Sequence, residues 1–166
     1  MLAKFINWIM VDLEFFMFFL AAVIALLHKI TFRHVSTAEV IFRWFVLFPL
    51  GVTGLYVALR QGIYSGATAA QIGWLGQFFQ FKLAVANFGF GLIAVLAFNA
   101  SFGFRLAAVL ANTCWLWGDA LIRFTKYYFL VTLVPALFWL DLILPIILLL
   151  CLLSIKQQQK KIRSTL

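Results

Sequence analysis

Acidic residues are scarce in this chain: Asp and Glu number 5 in 166 residues, and charged residues of both signs make up only 11%. An ordinary soluble domain carries roughly 25%. With 66% hydrophobic residues and a mean hydropathy of +1.08, too little polar surface is left to hydrate a soluble fold, and the chain reads as an integral membrane protein. Cysteine is equally rare. Cys114 and Cys151 both lie inside apolar runs, which excludes a disulfide framework or a CxxC pair. The two histidines, His28 and His34, have no cysteine or carboxylate at metal-ligand spacing. No GxSxG, Walker loop or dinucleotide fingerprint occurs, so no catalytic residue, no metal and no cofactor are expected.

The net charge of +8 would suggest nucleic acid in a soluble protein. Here the cations are scattered between hydrophobic runs or gathered at the C-terminus rather than spread over one polar face, so they read as orientation signals and lipid headgroup contacts.

What the chain does have is long apolar runs. Counted in membrane spans of ~20 residues, they predict an all-α polytopic bundle of about five transmembrane helices in one domain, residues 1–155, with a basic tail at 156–166. The spans fall at about 4–27, 37–59, 78–98, 103–124 and 127–155. Asp12 and Glu14 interrupt the first, and no small-residue cleavage site follows, so it reads as retained. Ser36 and Glu39 have capping-box spacing ahead of the second, and Pro49 lies within it. A proline there is tolerable because neighbouring helices can satisfy the freed carbonyl. Residues 60–77 read as the main loop, with a short interfacial helix at 67–74. The fifth span is longer than a bilayer requires, so a tilt, a kink at Pro135 or Pro145, or a projection beyond the hydrocarbon is expected, followed by a frayed tail.

Five spans put Lys4, Arg60, Lys82, Arg123 and Lys126 on one side and Lys29, Arg33, Arg43, Arg105, Lys156, Lys160, Lys161 and Arg163 on the other. The positive-inside rule then places the C-terminus in the cytoplasm and the N-terminus outside. The tail cations Lys156, Lys160, Lys161 and Arg163 are candidate contacts for anionic lipid.

Four of the five acidic residues, Asp12, Glu14, Asp119 and Asp141, fall within spans. Charges in hydrocarbon cost roughly 2.5–3.5 kcal/mol each, so they are kept where they face a partner or a cavity. Glu14 and Asp12 on the first span, Gln80, Lys82 and Asn87 on the third, and Asp119 and Arg123 on the fourth all approach the outer face. They predict an outward-facing polar cluster, with Asp119 and Arg123 paired at i and i+4 and Asp141 nearer the middle of the fifth span. The alternative use of the same residues is interhelical pairing, or snorkelling for the longer ones. Trp115 and Trp117, mid-span, are expected to fill the core, with the walling of an apolar ligand cavity as the alternative. Asn87 with Gly91, Ala107 with Ala111, and Cys114 with Gly118 have the small-residue spacing of close helix contacts.

The stretches "IGW", "FQFK" and "AN" before and within the third span and "GDA" in the fourth carry a resemblance. Over residues 40–152 the chain resembles a family of uncharacterised bacterial multi-pass membrane proteins, small helical bundles of the DoxX-like type. Ile72, Gly73, Trp74, Phe79, Gln80, Phe81, Ala86, Asn87, Gly118, Asp119 and Ala120 match its pattern. Lys82 stands where that pattern has Glu, and Arg123 near where it has His. The resemblance implies a bacterial cytoplasmic (inner) membrane and no assigned activity. The two exchanges of titratable groups for fixed cations argue against proton or cation handling at those positions.

Three readings of function follow. The first is a non-enzymatic bundle whose outward polar pocket binds a small solute or lipid, or an accessory subunit of a homo-oligomer or larger membrane complex. The second is an ion- or proton-coupled transporter or channel-like protein using Asp119 and Asp141. The third, a quinone- or redox-linked component, has no clustered ligands to carry electrons.

Overall fold

The computed structural model describes residues 13–64, 77–130 and 136–164. It is helical throughout, with no strand among the described residues. Helix α1 spans Leu13–Thr31. Helix α2, Thr37–Phe45, passes through a π-helical turn, Val46–Val52, into α3, Thr53–Ile63, making one rod of 27 residues. Helices α4, Gln77–Ala97, α5, Phe102–Leu130, and α6, Ala136–Ser164, complete a bundle of five rods.

Four helical stretches are long and apolar enough to cross a membrane: Leu13–Thr31, Thr37–Ile63, Phe78–Ala97 and Leu137–Ser164. Helix α5 is as long as α6 but carries Arg105, Asn112, Asp119 and Arg123, and it is not among them. The outer surface is a belt of exposed Phe19, Leu26, Phe78, Val85, Leu121 and Leu150, while Phe42, Val46, Ala94, Val109 and Leu148 fill the interior. This is the distribution of a fold solvated by acyl chains, held together by packing and polar contacts between helices.

The tightest packing joins the α2–α3 rod to α4. A Cβ on Gly91 would lie 2.7 Å from Leu55 N and 3.0 Å from Gly51 O, and one on Gly54 would lie 2.9 Å from Gly91 Cα. Only a residue without a side chain permits this approach. Pro49 explains the π turn beside it. Lacking an N–H, it cannot complete the α-helical ladder, and the bonding shifts so that the Thr53 N–H and Thr53 Oγ1 both donate to Phe48 O, the latter at 3.2 Å. Such wider turns are frequent at functional sites.

One end of the bundle is closed by a charge clamp. Arg105, at the start of α5, donates from both terminal nitrogens to Glu39 of α2 at 2.8 and 2.9 Å. It also donates to the Ala97 and Phe98 carbonyls that end α4, at 3.2 and 3.1 Å, and lies over the Phe42 ring. Arg43 completes the cluster on Glu39 at 2.6 Å. The capping box is therefore half realised. The Glu39 N–H reaches Ser36 Oγ at 3.4 Å, but the Glu39 carboxylate is drawn away to the two arginines.

The boundaries shift from those expected. Arg60–Ile63 are the last turn of α3 rather than loop, because nothing in "LRQGI" breaks the helix. Residues 127–130 belong to α5 rather than to the fifth span. The tail is not frayed as far as Ser164: α6 runs unbroken through Pro145 and "KQQQKKIRS", whose Lys and Gln are good helix formers, and Ser164 Oγ closes the last turn on Lys161 O at 2.8 Å. Asp12, Pro135 and the expected helix at 67–74 lie outside the described residues.

Candidate functional site

Asn112, Trp115, Leu116, Asp119, Ile122 and Arg123 recur along α5 at intervals of three and four, and so share one face. That face and the inner faces of the other four rods enclose a cavity of about 600 Å³, within the roughly 300–1,000 Å³ of small-molecule sites. From Asn112 to Arg123 it extends ~16 Å along α5. Its inner part is apolar: Pro49 and Leu50 come from the π turn, Leu144 from α6, and the Phe90 and Trp115 rings stand 5.1 Å apart. The π turn also carries the backbone round to Thr53 and Gly54, which line the same wall.

Its other part is charged. Glu14 enters from the first turn of α1, Arg60 from the end of α3, Asp119 and Arg123 from α5, and Asp141 from the second turn of α6. Arg123 Nε lies 3.1 Å from Asp141 Oδ2. The N–H is not directed at that oxygen, so this is a contact of charges rather than a hydrogen bond. The charge of Arg123 also acts on Glu14 and Asp119. Neither of those carboxylates has a cation within ion-pair distance among the described residues. Arg123 thus acts on three carboxylates brought by three helices, with Arg60 adding its charge at Glu14.

Two buried amides complete the wall. Asn87 Nδ2 donates to Gln61 Oε1 at 2.9 Å. Asn112 Nδ2 donates to the Ala108 and Phe90 carbonyls, at 3.0 and 3.5 Å. Among the described residues no three His, Cys, Asp or Glu side chains converge closely enough to hold a metal ion. The carboxylates are spread along the wall, an arrangement that can orient a ligand by charge and hydrogen bonding over an apolar floor.

Of the residues singled out in the sequence, Glu14, Asn87, Asp119, Arg123 and Asp141 come together here. Arg123 pairs with Asp141 of α6 rather than with Asp119, so that Asp141 lies level with Arg123. Lys82 is exposed on the outer face of α4 beside Phe81 and Val85, away from the cavity, at a depth from which a lysine can snorkel. Gln80 is fully buried outside the cavity wall, with neither amide atom hydrogen-bonded among the described residues. Lys156, Lys160, Lys161 and Arg163 are exposed on the far end of α6, where the Lys156 ammonium lies over the Phe102 ring. Trp115 walls the cavity and Trp117 faces outward, so neither is core. Gly91 makes the close contact its spacing suggested, whereas Gly118 has open space over it and lines the cavity.

Sequence reading missed Arg60 and Gln61, assigned to a loop, and Thr53 and Asn112. Asn112 had a usable signal, since it precedes Asp119 by seven residues, two helical turns on the same face. No curated protein and no solved structure matches the chain. Residues 12–161, nearly the whole length, match DUF6790, a family of unknown function, and the chain belongs to that family.

Proposed function

We propose that the protein is a non-enzymatic binding bundle of a bacterial cytoplasmic membrane, whose cavity takes a small amphiphilic solute or lipid from the outer side. The observation that carries this reading is the cavity itself: every rod contributes to it, and it joins an apolar inner wall to a charged part lined by Glu14, Arg60, Asp119, Arg123 and Asp141. Carrying five ionisable groups into a membrane bundle is costly, and they are retained where they meet partners or ligands. The cation-rich opposite end, with the exposed Lys156 and Lys160 on the extension of α6, supports a cytoplasmic C-terminus lying against anionic lipid. A role as the accessory subunit of a larger membrane complex would use the same pocket.

Cys114 tests the reading, because it is exposed and lines the cavity, while Cys151 is buried. In intact membranes carrying the protein with Cys151→Ala, a membrane-impermeant maleimide should label Cys114 from the outer side. A Cys114 that stays unlabelled from both sides, yet reacts after denaturation, rejects a water-accessible cavity.

A second reading is an ion- or proton-coupled transporter. It is favoured by one observation: Asp119 has no ion-pair partner among the described residues, and stands one turn along α5 from Arg123, whose partner Asp141 is buried. It requires Asp119→Asn or Asp141→Asn to abolish flux in reconstituted vesicles without lowering thermal stability.

A further inference from the structure

Several acceptors on the cavity wall are left open among the described residues. The donors of Asn112 are both directed at backbone carbonyls, which can only accept, so its orientation is fixed and the polar atom it has left is Oδ1, an acceptor. Asn112 is only 5% exposed, and nothing among the described residues donates to that oxygen. The hydroxyl proton of Thr53, equally buried, is directed at Phe48 O, which leaves lone pairs. The Asn87–Gln61 pair offers one amide donor group and one acceptor whichever way its two amides are turned. Glu14 and Asp119 add two carboxylates with no ion-pair partner among the described residues. Against these stand the Arg123 guanidinium, in charge contact with Asp141 and with its Nε–H unmatched, and Arg60, exposed at the end of α3, whose charge acts on Glu14. Among the described residues the lining carries three carboxyl groups and two guanidinium groups.

The apolar part fits the same ligand. Trp115 lies one turn from Asp119 on the shared face of α5, with the Phe90 ring beside it. A carboxylate next to an indole face is suited to an ammonium group, which gains from both.

We propose that the ligand of this cavity is an organic cation: an amine or quaternary ammonium on an apolar body, its charged head at Asp119 and Glu14 and its body against Trp115 and Phe90. This rests on the binding reading above and narrows it.

Three probes of one shape and different charge test it by equilibrium dialysis in a non-ionic detergent: benzyltrimethylammonium, benzyl alcohol and benzoate. The cation should bind at least about tenfold more tightly than the alcohol, one decade of affinity, and benzoate weakest. Asp119→Asn and, separately, Glu14→Gln should each weaken the cation by about tenfold and leave the alcohol unchanged, at an unaltered melting temperature. Equal binding of the three probes, or a preference for benzoate, overturns the cation assignment while the cavity stands. No binding of any probe overturns it too; if Cys114 is also inert to impermeant reagent, the binding reading falls with it.

Discussion

The two ends of the bundle are built from the same materials and differ in completeness. At the closed end, Arg105 spends its donors on Glu39 and on the carbonyls that terminate α4, and Arg43 shares the carboxylate. At the open end, Arg123 stands among three carboxylates, reaches ion-pair distance of Asp141 alone among the described residues, and does so without an aligned hydrogen bond. A charge cluster that satisfies itself fastens helices. One left with unmatched polar groups around a cavity is suited to a ligand. Buried ion pairs are poor sources of net stability but costly to break from one side, so the two clusters should respond differently to the same kind of substitution.

The largest effect is expected at the closed end. Arg105→Met strips Glu39 of its bidentate partner and the end of α4 of its donor, and should lower the stability of the detergent-solubilised protein by about 3–5 kcal/mol. Combining it with Glu39→Gln should recover part of that loss, measurable as a coupling in a double-mutant cycle. Additive losses would mean that the clamp fastens nothing.

Next comes the glycine contact that sets the distance between the α2–α3 rod and α4. Gly91→Ala places a methyl against the Leu55 and Gly51 backbone and should cost about 1–3 kcal/mol of overpacking. Gly89→Ala, two residues away with nothing within 4 Å of the added carbon, should be neutral or slightly stabilising. Equal effects in thermal unfolding would show that the close approach does not matter.

The smallest effect belongs to Lys82. Exposed and away from the cavity, it should tolerate Lys82→Met with no change in melting temperature and none in ligand affinity. A loss of either would return it to the cluster.

The sequence made the membrane class and the number of rods legible, because apolar length is a property of consecutive residues. It also exposed most of the site, since a carboxylate inside an apolar run announces itself. What it obscured depended on helix boundaries and rotation. Lys82 has the right depth but the wrong face of α4. Asp141, mid-span by the sequence, lies level with Arg123, a contact between α6 and α5 that span counting does not give. Arg60 and Gln61 were hidden by the glycine-rich segment that follows them, although α3 does not end before Ile63. The division of arginines between fastening and binding could not be read at all, because it rests on contacts such as Arg105 with Glu39, 66 residues apart.

The rate at which Cys114 is modified by two impermeant thiol reagents of opposite charge tests the central claim most directly. Trimethylammonioethyl and sulfonatoethyl methanethiosulfonate would be applied to the protein with Cys151→Ala, each rate divided by that of the same reagent with a free thiol in solution. An open, acceptor-lined cavity predicts that the cationic reagent is favoured, and that Asp119→Asn reduces the preference while Lys82→Met does not. Equal rates for the two reagents, or no reaction with either, would contradict it.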